Sequence, residues 1–162
     1  LLLGALFGGC VRSDRTVVTG GIEAIGLART DDIRAVYQIN TDKKKGSVGA
    51  GLHYLEKLLD TYNSLGVQDE ATDIHAVLHG DAAYWLLRDE PYVKAAGGGS
   101  TNPNKAMVAE LIGRGVGIEI CAQTMRGRGW RPSDILDGVH IVVGAYPRVI
   151  DLQLRGYAYI RF

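Results

Sequence analysis

The sequence predicts an α/β fold, a three-layer αβα sandwich around a five-stranded, mostly parallel sheet. Three observations carry this expectation. From Arg34 onward short β-branched runs alternate with stretches of helical periodicity, the signature of βαβ units. Each extended run stops at turn-forming or small residues, as strands do when the chain leaves a sheet. With 162 residues, 46% apolar and 22% charged, the chain is long enough for one core and close to the average for globular proteins, which excludes a disordered or polytopic membrane protein.

The elements follow in order. Residues 34–39 (RAVYQI) form the first strand, closed by Asn40, Thr41 and Asp42, with Lys43, Lys44 and Lys45 as a solvated loop. Val48, Leu52, Leu55, Leu58, Leu59, Tyr62 and Leu65 recur in steps of three and four, which places them on one helix face, with Ser47 as N-cap and Gly66 as stop. Residues 72–78 (TDIHAVL) form the second strand. The turn His79-Gly80-Asp81, with Asp81 as cap, leads into a short helix over residues 82–88. Residues 91–101, which hold Gly97-Gly98-Gly99-Ser100, read as a mobile surface loop, and Asn102-Pro103 as an N-cap and first helical residue opening a helix through Ile112.

Residues 116–120 (VGIEI) are the third strand, which delivers the chain to Cys121. A helix begins at Ala122 and is broken by residues 127–130, and residues 132–134 make a turn. Residues 139–143 (VHIVV) are the fourth strand, residues 146–154 a helix stopped by Gly156, and residues 157–160 (YAYI) the fifth strand.

The first ten residues, LLLGALFGGC, have the length and composition of a signal-peptide core and are too short to span a bilayer. Residues 1–10 are read as the remnant of an export signal. The Gly-Gly-Cys ending resembles a lipobox, which makes Cys10 a candidate lipidation site. The expected location is periplasmic or exported, with lipid attachment at Cys10 the only route to a membrane; a cytoplasmic protein with an apolar tail is the alternative. Residues 11–33 read as a linker and residues 34–162 as the domain.

Charge and cysteine count narrow the function. Eighteen basic and eighteen acidic side chains cancel and form no long block, so nucleic acid is not an expected partner. The run Arg126-Gly127-Arg128-Gly129-Trp130 is a single copy and reads as a loop. Cys10 and Cys121 stand in unlike surroundings and do not make a disulfide framework. No metal is expected, because Cys121 and His79 supply only two of the ligands a zinc site needs.

In open parallel sheets ligands bind outside the carboxyl ends of the strands. The residues there are Asn40, His79, Cys121 and the turn from Gly144 to Tyr146. Cys121 stands between a strand end and a helix start, where unpaired N–H groups favour a thiolate; the opposing reading is a small buried hydrophobe. His79 is a candidate to exchange a proton with Cys121 or to donate to an anion, or else only a turn residue. Asn40, Gly80 and Tyr146 are candidate ligand-binding residues. His75 and His140, inside strands, read as core histidines, and His53 as a helix-face boundary.

Cys121 in IEICAQTM, the His79-Gly80 turn in AVLHGDAAYWLL, the start Asn102-Pro103-Asn104, and the closing GAYPRVIDLQLRGYAYIRF together resemble the DsrE/DsrF-like family. The resemblance implies a homo-oligomer, trimer or hexamer, and relatives that pass persulfide sulfur between donor and acceptor proteins on a cysteine at the position of Cys121. It implies no redox cofactor. Relay members are cytoplasmic hetero-oligomers, whereas this chain resembles a single-protein branch of unassigned activity. Two functions follow as expectations: a sulfur carrier or sulfurtransferase with its persulfide on Cys121, or a non-catalytic small-ligand-binding or assembly module.

Overall fold

The computed structural model describes residues 16–162 and divides into two compact units, one ending at Thr30 and one from Asp31 to Phe162. In the first, Thr16–Thr19 pairs antiparallel with Ile22–Ile25. Gly20 and Gly21 both have positive φ (55° and 79°), which a two-residue hairpin turn with the right twist requires. The stretch read as a linker therefore holds a hairpin, signalled by Gly-Gly between β-branched runs. Cys10 lies outside the described residues.

The second unit is built on five parallel strands: β1 (Ile33–Ile39), β2 (Thr72–Leu78), β3 (Gly117–Cys121), β4 (His140–Val142) and β5 (Ala158–Arg161). Their order is β4-β3-β2-β1-β5. The helices are α1 (Ala50–Ser64), α2 (Asp89–Ala96), α3 (Lys105–Gly113), α4 (Ala122–Arg128) and α5 (Ala145–Leu154), with 3₁₀ turns at Asp69–Ala71, Gly80–Leu86 and Pro132–Asp134. This is the expected three-layer sandwich.

The two faces are unequal. Ala35, Tyr37, Ile39, Ile74, Ala76, Leu78, Ile118 and Ile120 pack under the larger helical layer, where α1 contributes Leu52, Leu55 and Leu59, all fully buried. Burying each such leucine contributes about 1.5–3 kcal/mol. Strand alternation turns Val36, Val77 and Cys121 to the other face, where α5 covers them through Ala145, Val149 and Leu152, joined by Tyr157. The thiol thus lies on the thinly covered side.

Several local expectations are corrected. Lys44–Lys45 is not a free loop but pairs with Val48–Gly49, so α1 begins at Ala50 and Ser47 caps nothing. Residues 91–96 are helical: Asp89 and Glu90 favour the first turn, Pro91 is tolerated there, and Gly97 ends α2 in the left-handed region (φ 73°). Helix α3 starts at Lys105 with Asn104 as its N-cap, two residues later than expected; Asn102 Oδ1 still accepts from the Asn104 N–H (2.9 Å), while its amide donates to the carbonyls of Trp85 (2.7 Å) and Leu87 (2.6 Å). The segment 80–86 is 3₁₀, and Asp81 pairs with Arg128 at 2.9 Å instead of capping it. Helix α4 runs through Gly127 and stops at Gly129 (φ 71°), so the Arg-Gly run is mostly helical. His140 is exposed, since β4 is the edge strand.

Candidate functional site

The β2–β3 ladder ends on Leu78↔Ile120, so the next residues of the two strands, His79 and Cys121, stand side by side. Both line a cleft of about 260 Å³ at the carboxyl edge of the sheet, with Gln123, Thr124, Gly144, Ala145, Tyr146 and Pro147. Cys121 is buried, 5% exposed, on the wall of this cleft.

Two helix starts converge on that sulfur. Cys121 is extended (φ −74°, ψ 118°) and immediately precedes α4, which turns the N–H groups of Gln123 and Thr124 back towards it. The backbone N–H of Ala145, the first residue of α5, is a further donor. The Thr124 hydroxyl accepts a hydrogen bond from the Gly80 N–H (3.2 Å), which leaves its own proton for the sulfur. Burial pushes the Cys121 thiol up; the donors from Thr124, Ala145 and Gln123 outweigh it, and the net direction is down. A thiolate is the nucleophilic form of cysteine.

His79 is 8% exposed, and burial followed by the charge of Arg161 lowers its pKa, which holds the ring neutral. Its Nε2 meets the Gln38 side-chain amide at 2.8 Å, and the Tyr146 ring stands edge-on to it at 5.4 Å. Beneath the cleft, on the same face, Glu119 (3% exposed) accepts from His75 Nδ1 (2.7 Å) and from the Arg148 guanidinium (2.7 and 2.8 Å). Burial raises the Glu119 pKa, but these partners bring it below its ordinary value. His75 is therefore an ion-network residue on this face, only partly buried.

Of the residues predicted from sequence, Cys121, His79 and Tyr146 are brought together. Gly80 (φ 55°) lines a separate cleft of about 710 Å³, reaching from Asp42 and Tyr84 to Lys94 and Trp130. That cleft is larger but contains no thiol, and its Arg128–Asp81 and Arg131–Asp134 pairs neutralise one another. Asn40 lines neither: its N–H donates to the Phe162 carbonyl, its carbonyl accepts from the Asp81 N–H, and its buried Oδ1 has no partner among the described residues. Ala145 falls within the expected turn from Gly144 to Tyr146, whereas Gln38, Gln123 and Thr124 are not among the expected site residues. Thr124 alone had a signal, as the third residue after Cys121 in a helix first turn.

No curated protein matches the chain. Two solved structures have the same fold. A protein of unknown function from Methanobacterium thermoautotrophicum is 25% identical, with a TM-score of 0.58 over 81% of this chain and 100% of that one. The ychN protein from E. coli is 20% identical, with a TM-score of 0.57 over 80% of this chain and 100% of its own. The sequence model of the DsrE/DsrF-like family, a family associated with sulfur relay, matches residues 39–162. That span takes in four of the five strands, every helix and the whole Cys121 cleft, so the chain belongs to the DsrE/DsrF-like family.

Proposed function

We propose that this protein is a sulfur carrier, with a persulfide borne on Cys121. The observation that carries the reading is the place of Cys121, immediately before α4 and on the wall of the cleft, where donors from Thr124, Ala145 and Gln123 favour a charged sulfur in spite of burial. In the loading step the Cys121 thiolate attacks the outer sulfur of a donor persulfide, R–S–SH. The donor S–S bond breaks, a new S–S bond forms on Cys121 with the proton kept on the outer sulfur, and R–S⁻ departs. The transfer to an acceptor thiolate is the same exchange in reverse, and needs no net oxidant. His79 and Tyr146 form the walls past which donor and acceptor reach the sulfur.

Mass spectrometry after incubation with a persulfide donor tests this. An adduct of one sulfur atom, removed by reductant and missing in Cys121→Ser, is expected; an unmodified Cys121 with a competent donor sinks the reading.

A homo-oligomer, trimer or hexamer, is part of the proposal. It is supported by the stripe Tyr146, Ile150 and Leu154 on α5, 65%, 56% and 84% exposed and four residues apart. The same stripe favours the assembly-module reading, under which Cys121→Ala leaves the oligomer and its cellular role intact. Export, with or without a lipid on Cys10, is proposed from the first ten residues, and the intact mass of the mature protein tests it.

A further inference from the structure

We propose that Gln38 is the positioning residue that fixes His79 in the tautomer with its proton on Nδ1, so that the ring serves the Cys121 cleft as a hydrogen-bond donor and not as a base. The role deepens the sulfur-carrier reading and rests on it; the tautomer itself does not.

The argument starts from Gln38, a polar side chain 6% exposed on β1, next to the strand that ends at His79. A buried amide must use its groups, and each end is engaged. Tyr159 on β5, 42% exposed, directs its O–H to Gln38 Oε1. With Oε1 accepting from the phenol, the other end of the amide is the NH₂ group, and it faces His79 Nε2 at 2.8 Å. A nitrogen that accepts from an amide carries no proton. The neutral ring therefore holds its proton on Nδ1.

Gln38 and Cys121 flank His79 from neighbouring strands on opposite sides. Gln38 approaches from β1, on one side of β2, whereas β3 and Cys121 lie on the other side. With Nε2 turned to β1, the Nδ1 edge is left for the cleft shared with Cys121 and Tyr146. The charged or titratable groups around the ring are Arg161 from β5, Cys121 from β3 and Tyr146 from α5, and Arg161 disfavours a second proton. A neutral Nδ1–H cannot take the Cys121 proton unless the ring becomes a cation. It can donate to an anion in the cleft, such as the outer sulfur of a persulfide or a departing thiolate. The thiol is then activated by backbone and Thr124 donors, and His79 stabilises the charge that moves.

Nitrogen-15 NMR of histidine-labelled protein tests this, with His79 assigned by loss of its signals in His79→Gln. In the resting protein Nε2 should resonate as a pyridine-type nitrogen and Nδ1 as a pyrrole-type one. In Gln38→Glu a carboxylate can only accept, so Nε2 should become protonated and the ring should titrate at higher pH. Tyr159→Phe, at a half-exposed position, frees the amide to rotate and should mix the tautomers. A pyrrole-type Nε2 in the wild type overturns the proposal. So does a tautomer unmoved in both Gln38→Glu and Tyr159→Phe. If Gln38→Glu does not fold, the wild-type spectrum and Tyr159→Phe decide. The spectra are read without any sulfur donor, so failure here is distinct from failure to load Cys121.

Discussion

Arg148 grips Glu119 with two parallel hydrogen bonds, Nε to Oε2 at 2.8 Å and Nη2 to Oε1 at 2.7 Å, and so fastens the first turn of α5 to β3 two residues before Cys121. Ala145, whose N–H reaches the Cys121 sulfur, lies on that same turn. The pair therefore holds a donor in place as well as a helix.

Cutting that link should be costly. Arg148→Met leaves a buried carboxylate with only His75, and loss of one partner of a buried pair costs about 3–5 kcal/mol. Arg148 is itself 23% exposed, so the lower end, about 3 kcal/mol, is expected in urea unfolding. Acid should reproduce the effect. The folded Glu119 pKa is depressed, so its stabilisation is complete above the ordinary carboxylate range and is lost as pH falls through the folded value. A wild type and Glu119→Gln that lose stability in parallel on acidification would contradict this.

Thr124→Val should raise the Cys121 pKa. The substitution keeps the volume and the backbone N–H but removes the hydroxyl donor, a hydrogen bond to a charged group worth about 1.5 kcal/mol or more. That is about one pKa unit. Thiolate absorbance against pH measures it, with Cys121→Ser as the blank. An unchanged titration would mean that the backbone donors act alone.

The architecture was legible because periodicity is a local property. Residues 72–78 were readable to the residue as a strand, since a β-branched run between polar turns has few other options. Segment 89–96 is less legible, because the Gly-Gly-Gly run that follows it is a stronger loop signal than the helix signal of Asp89 and Glu90 in its first turn. Cys121, His79 and Tyr146 could be proposed as neighbours from the rule that strand ends share an edge. Their partners could not: Gln38 meets His79 across 41 positions and Arg148 meets Glu119 across 29, and nothing in the chain near either residue announces the other.

Gly49→Ala should be strongly destabilising. A Cβ there would lie 2.3 Å from the Trp85 ring, which is fully buried and has no free direction to move. The Gly49 N–H also donates to Asn104 Oδ1 at 2.7 Å, so the backbone is fixed from its other side. Overpacking of this kind costs about 1–3 kcal/mol, and occasionally more. Thermal unfolding should show the loss, with Gly98→Ala, which meets nothing within 4 Å, as the control.

Ile150→Asp should dissociate the proposed oligomer without unfolding the protomer. Ile150 stands between Tyr146 and Leu154 on the outer face of α5, whereas Val149 and Leu152 are the residues that pack inward, so the change places a charge on the stripe and leaves the core intact. A carboxylate in an apolar contact between copies has no cation to pair with unless one is supplied from the partner, and its desolvation opposes association. Light scattering should give a trimer or hexamer for the wild type and a monomer for Ile150→Asp, with identical circular dichroism. A monomeric wild type would remove the oligomer from the proposal. Because Tyr146 belongs both to the stripe and to the wall of the Cys121 cleft, dissociation should also change the rate at which a bulky alkylating reagent reaches the thiol.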